Sequence, residues 1–150
     1  GIEFSPAPHF SLEEEVRLQK AVSELISSSV ISSAHDTSEG GLFVTLCESG
    51  FNLSLGFDVQ SKKGIRKDAW LFGEAQSRVV VSVTPANESA LLEILSTHGV
   101  SFEKLGTVTS GAVKIDGENW GDIDGWKERY DTAIEQFLTG ESAESALTAV

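Results

Sequence analysis

Ser33-Ala34-His35-Asp36-Thr37-Ser38-Glu39-Gly40-Gly41-Leu42 lies between an apolar run that reads as a strand and another that reads as a helix. An imidazole, two carboxylates, two hydroxyls and a glycine pair fall within seven residues of a strand-to-helix turn. Such a turn aims free backbone N–H groups at one point, where a phosphate or carboxylate can sit. The fold assignment works outward from this turn.

Upstream, Phe4 to Phe10, with Pro6 and Pro8, reads as an extended lead-in. Ser11 and Glu14 form a capping-box pattern. Leu18, Val22, Leu25 and Ile26 then recur with the spacing of one helical face. Ser27-Ser28-Ser29 ends that helix, and Val30-Ile31 opens a short strand leading to His35. Downstream of Gly41, Leu42 to Cys47 predicts a second helix closing near Ser49-Gly50. Leu53, Leu55, Phe57 and Val59 alternate as in a strand with one buried face.

Ala69 to Phe72 predicts a helical turn, and Val79 to Val83 a strand buried on both faces. Pro85 starts a helix carrying Leu91, Leu92 and Leu95, which stops at Gly99. Strands around 102–108 and 112–115 follow, joined by Thr109-Ser110-Gly111. The last helix, from about Asp124 to Leu138, aligns Trp126, Tyr130, Ile134 and Phe137. This order predicts an α/β fold (α+β in a stricter scheme), with helices layered on a mixed sheet as α/β/α. The expected division is a lead-in at 1–10, one domain at 11–139 and a flexible tail at 140–150.

Composition narrows the function classes. The chain has 150 residues and a formal charge of −12, which argues against nucleic-acid and anionic-lipid surfaces. No apolar run reaches the length of a membrane span, and no signal-peptide pattern opens the chain. The lone Cys47 sits in an apolar run, which favours a buried thiol over a nucleophile and a reducing, cytoplasmic setting. The chain has no Met and begins at Gly1, so it reads as part of something longer, with Gly1 to Phe4 partly a cloning remnant.

Two clusters carry polar chemistry. In the first, Asp36 and Glu39 suit magnesium, His35 and Ser38 suit a phosphate, and Gly40-Gly41 allow close backbone approach. Spacing alone favours an architectural role, with Ser38 capping the helix and Glu39 complementing its positive end. The second is Glu74, Gln76, Ser77 and Arg78, ahead of the valine strand. It reads either as a polar-ligand loop, with Arg78 as an anion fork, or as a surface turn in which Glu74 and Arg78 neutralise each other. Lys62, Lys63, Arg66 and Lys67 read as a solvated loop rather than an anion contact. His9 and His98 have no partner at zinc-ligand spacing, and Trp120, Trp126 and Tyr130 read as packing for the last helix.

Taken together, SAHDTSEGGL and LFGEAQSRVVVSV resemble the carboxy-terminal, AIR-synthase-related domain of the phosphoribosylformylglycinamidine synthases. The likeness is close from Pro6 to Gly99 and looser from Phe102 to Leu138. Aminoimidazole ribonucleotide synthetases, selenophosphate synthetases and hydrogenase-maturation proteins share only the first turn. They remain alternatives, as does a purely structural domain. Two departures stand out: Ala75 where the family has Ser, and Thr37 where Val is usual.

The resemblance implies one domain of a purine-synthesis ligase that uses ATP and magnesium to activate the amide oxygen of formylglycinamide ribonucleotide. Ammonia from glutamine then displaces phosphate. It implies that ATP and magnesium bind mostly outside this chain, on amino-type half-domains. As partners it implies the other half-domains, a glutaminase subunit or domain and room for a small bridging subunit, with neither nucleic acid nor membrane. Candidate ligand-binding residues are His35, Asp36, Ser38, Gly40, Gly41, Glu74, Gln76, Ser77 and Arg78. The isolated chain is expected to form pocket wall and scaffold without catalysing synthesis.

Overall fold

A computed structural model describes residues 10–139. The lead-in before Phe10 and the tail after Thr139 lie outside the described residues, as does His9. Helix α1 (Leu12–Ser27) begins at Ser11, whose side chain accepts the Glu14 N–H at 3.4 Å, so one arm of the capping box is present. Glu13, Glu14 and Glu15 in its first turn complement the helix dipole. Ala21 and Leu25 are its buried residues, whereas Ile26, expected on that face, is 57% exposed.

Strand β1 (Ser33–Asp36) leads into helix α2 (Gly41–Phe51). Strand β2 (Gly56–Val59), helix α3 (Lys67–Phe72) and strand β3 (Val79–Ser82) follow. A 3₁₀ turn at Pro85–Asn87 opens helix α4 (Glu88–Thr97). Strands β4 (Gly106–Thr109), β5 (Ala112–Ile115) and β6 (Glu118–Asp122) precede helix α5 (Ile123–Thr139).

The mixed sheet is four-stranded, in the order β4-β2-β5-β6, with β2 parallel to β5 and the other pairs antiparallel. Phe57, Val59, Val113 and Ile115 point from it into a core with Leu42, Phe43 and Cys47 of α2, Trp70 and Leu71 of α3, and Ile123. A separate antiparallel ribbon pairs β1 with β3. Helices α1 and α4 cover one side of it through Ala21, Leu25, Leu91 and Leu95, which pack with Val81 and Val83. Val80 joins the α2 core instead. Helices therefore lie on both sides of the ribbon, as the layered reading expects.

The structure corrects several details. Strands β4 and β5, joined by Thr109-Ser110-Gly111 as expected, do not pair with each other, because β2 lies between them. Their connection passes over the end of β2 at Gly56, where an added Cβ would sit 2.2 Å from the Ala112 carbonyl oxygen. Close approach of backbone thus explains this glycine. Strand β2 starts at Gly56, and Leu53 is 77% exposed in the turn before it. Helix α2 runs through Ser49-Gly50 to Phe51.

Strand β6 was not expected. Its signal is Asp116-Gly117, with φ of 55° and 79°, the turn chemistry of a tight hairpin between Ile115 and Glu118. The valine strand is contacted on both faces, yet each of its residues is only half-buried, for it has one strand neighbour. On α5, Trp126 packs on the core, but Tyr130 and Ile134 are 52% and 75% exposed. The side chain of Phe137 lies outside the described residues. Among the described residues no helix is long and apolar enough to cross a membrane.

Candidate functional site

The turn after β1 is built on two left-handed glycines. Gly40 is the N-cap of α2 at φ 79°, and Gly41 follows at φ 66°. A Cβ on Gly41 would lie 2.7 Å from the Phe72 backbone, so the helix start is pressed against the end of α3. The N-cap residue Gly40 has no side chain to cap α2 with, and Ser38 does not play the capping part expected of it; its carbonyl accepts the Gly41 N–H at 3.1 Å.

The cap comes from the second cluster. Glu74 Oε1 accepts the Gly40 N–H at 2.9 Å, which seats a carboxylate at the positive end of α2. The Thr37 N–H donates to the Arg78 carbonyl at 2.9 Å and ties the two segments together again. The expected Glu74–Arg78 neutralisation is replaced by these contacts. The Arg78 guanidinium donates instead to the Gly73 carbonyl at 3.0 Å. Ser77, in the left-handed region at φ 60°, donates to Glu15 Oε2 at 2.6 Å. That hydroxyl, with Gln19 second, holds the Glu15 carboxyl below its ordinary pKa. Gln76 is exposed.

The candidates thus adjoin but do not all face one cavity. A hollow of about 500 Å³ is lined by Ser38, Glu39, Gly40, Val44, Glu48 and Tyr130. Glu48 receives the Tyr130 hydroxyl at 2.6 Å and stands 3.4 Å from His35 Nε2. This hydrogen bond raises the Tyr130 pKa. His35 Nδ1 meets the Asp36 carbonyl at 2.8 Å, while the Asp36 side chain is 78% exposed. Glu48 and Tyr130 escaped the sequence reading. Glu48 was detectable as the one charge on α2, whereas Tyr130 was absorbed into the packing stripe of α5.

One polar atom nearby has no partner. Thr37 is 9% exposed, and its Oγ1 is buried without a hydrogen bond among the described residues. Here the chain departs from the usual Val of the resembled family, and the cost is an unsatisfied hydroxyl. Among the described residues no three His, Cys, Asp or Glu side chains, Asp36 and Glu39 included, group where they could hold a metal ion by themselves. In the glycine turn the Gly40 N–H is taken by the Glu74 carboxylate.

The other polar features are structural. Lys62 pairs with Glu103 at 3.3 Å, Arg66 with Asp68, and Lys67 with Asp116 and Glu118, so three of the four cations of the basic loop are paired within the chain. His98 meets Glu24 at 2.7 Å between α4 and α1. Cys47 is buried, and desolvation pushes its thiol to about 12, which makes it core rather than nucleophile.

These features define an α/β domain whose glycine turn and downstream polar loop form one self-capped unit. The chain belongs to the family described as AIR synthase related protein, C-terminal domain, which matches residues 5–117. It is 47% identical over 111 residues to the phosphoribosylformylglycinamidine synthase subunit PurL of Salinibacter ruber, covering 73% of this chain and 15% of that subunit. Thermotoga maritima PurL complexed with FGAR superposes with a TM-score of 0.63 at 21% identity, over 73% of this chain and 20% of that one. The same protein complexed with ATP gives 0.59 at 19% identity, over 72% and 20%. A structure of PurLQS from that organism gives 0.64 at 21% identity, over 71% and 19%. The chain therefore spans about 15% of the length of curated relatives it matches.

Proposed function

We propose that this chain acts as the carboxy-terminal domain of a phosphoribosylformylglycinamidine synthase, an ATP-dependent carbon–nitrogen ligase. The reaction converts formylglycinamide ribonucleotide and ammonia to formylglycinamidine ribonucleotide. The observation that carries this reading is the union of the two motif segments through the Gly40 N–H and the Glu74 carboxylate. The first segment alone does not separate this ligase from other ATP-dependent enzymes with a similar turn; the loop from Glu74 to Arg78 is what favours the synthase.

In this reading the residues position rather than react. The Gly40-Gly41 turn, locked on Phe72 and Glu74, sets the height of α2 against the strands. That fixes His35 and Glu48 at the rim of the hollow beside Tyr130. His35, Asp36, Ser38, Gln76, Ser77 and Arg78 then form wall for a pocket completed by the other half-domains, which would carry the main ATP and magnesium ligands. The Thermotoga maritima neighbours, complexed with FGAR, complexed with ATP and as PurLQS, support the substrate, the nucleotide and the glutaminase-type partners. A buried lone thiol supports a reducing, cytoplasmic setting.

An assay of the 150-residue chain with ATP, magnesium, ammonia and formylglycinamide ribonucleotide is expected to yield no product. Product that depends on both ATP and ammonia would overturn the division of labour proposed here.

A further inference from the structure

We infer that Glu15 is a positioning residue: from helix α1 it holds the loop between α3 and β3 in the shape that seats the Glu74 carboxylate on the Gly40 N–H. The inference deepens the reading above and rests on it for the part this loop plays in the pocket wall. Its test reads the loop and not the synthesis of product, so the two can fail separately.

Hydrogen bonds pin both ends of the loop. The Gly73 N–H donates to the Ala69 carbonyl at 3.0 Å and keeps the start of the loop on the last turn of α3. At the other end, the Arg78 guanidinium reaches back to the Gly73 carbonyl, and the Arg78 carbonyl accepts the Thr37 N–H. What remains is the tip, Glu74-Ala75-Gln76-Ser77. It has two tethers. Glu74 reaches the start of α2 at Gly40, and Ser77 reaches α1 at Glu15. Ala75 carries no side-chain donor or acceptor and Gln76 is exposed, so these two tethers set the tip.

The backbone makes the Ser77 tether the decisive one. Ser77 sits at φ 60°, in the left-handed region that residues other than glycine adopt at a cost. Such a conformation persists where surrounding contacts hold it. The contact here is the 2.6 Å bond from the Ser77 hydroxyl to Glu15 Oε2. Peptide units are rigid, so a relaxation of φ at Ser77 turns the units before it as a body. With Arg78 fixed, that turn carries Glu74 away from Gly40. A bond on one side of the tip therefore decides whether the carboxylate on the other side reaches its seat.

Glu15 is equipped for this part. Among the acidic residues in the first turn of α1, Glu13 is spent on Arg17 at 3.2 Å. Glu15 has each oxygen engaged: Oε2 accepts from Ser77, and Oε1 accepts from the Gln19 side chain at 2.6 Å, one turn along the same helix. Gln19 thereby points the carboxylate at the loop. The helix dipole favours an ionised group in this turn. The Ser77 bond lowers the Glu15 pKa, as a hydroxyl donating to the charged form must. Glu15 belongs to neither motif segment, and the 62 residues between it and Ser77 hide the pair from any spacing pattern.

Amide NMR and hydrogen exchange on the 150-residue chain test this at Gly40. Glu74→Ala, which empties the seat, gives the reference position of the free Gly40 amide. Glu15→Ala is expected to move the Gly40 resonance toward that position and to speed its exchange about tenfold. Ser77→Gly, which removes the hydroxyl and eases the backbone, should do the same. Glu15→Gln keeps an acceptor for Ser77 without the charge and should leave Gly40 as in the unaltered chain. A Gly40 amide unmoved by Glu15→Ala or Ser77→Gly, or one unmoved by Glu74→Ala, would overturn the inference. So would equal displacement by Glu15→Ala and Glu15→Gln, which is the mark of a charge and not of a tether.

Discussion

Phe43 is 5% exposed and meets the rings of Phe57, Phe72, Trp120 and Trp126, with centroids 4.9 to 6.2 Å apart. On the ribbon side no residue of Val79–Ser82 is fully buried, and the buried cluster there consists of Ala21, Leu25, Leu91 and Leu95. One half of the domain is thus closed around an aromatic hub and a four-stranded sheet. The other half rests two helices on two strands. The difference teaches where the stability of the domain resides.

The largest effect should separate those halves. Phe43→Ala removes the shared ring of four aromatic contacts and is expected to cost about 4 kcal/mol. Leu91→Ala, in the smaller cluster, is expected to cost about 2 kcal/mol, because a half-open site collapses more easily. Urea unfolding of both variants checks this, and equal losses would break the comparison. Thr37→Val goes the other way. It removes a buried hydroxyl without a partner and should raise stability by about 1 kcal/mol in the same measurement.

The smallest effect concerns acid. The Ser77 hydroxyl holds Glu15 below its ordinary value of 4.5 in the folded chain. A depressed carboxyl stabilises the fold above its unfolded pKa, and that share is lost as pH falls through the folded pKa. Ser77→Ala should bring the Glu15 titration, followed by NMR, upward toward 4.5. It should also flatten the loss of stability on acidification below that value. An unmoved Glu15 titration would remove Ser77 as the cause and leave Gln19 as the remaining donor.

What the sequence revealed follows from where its signals are local. Ser11 as a cap, the Leu91–Leu95 spacing and the glycine turn at 40–41 each act over one helical turn, and each stands where it was read. Strand neighbours are not local information. The 102–108 and 112–115 runs looked like a hairpin, and only the glycine at 56 marks the backbone crossing that separates them. Strand β6 hid because its residues are polar, although its Asp116-Gly117 turn was legible.

At the site, the sequence identified both motif segments but not the bonds between them. Ser38 looked like the cap, and Arg78 looked like the partner of Glu74. Instead, Glu74 crosses 34 residues of sequence to cap α2. Glu48 and Tyr130 meet across 82 residues, a separation that no spacing pattern reports.

The central claim is that Glu74 fills the anion seat at Gly40 and that this chain alone supplies wall, not a working nucleotide site. The direct measurement is an NMR titration of the isotope-labelled chain with ATP and, separately, with formylglycinamide ribonucleotide, both into the millimolar range. The account predicts no saturable shift of the Ser38, Glu39, Gly40 and Gly41 amides. Saturable shifts confined to those amides and to Glu74 would contradict it.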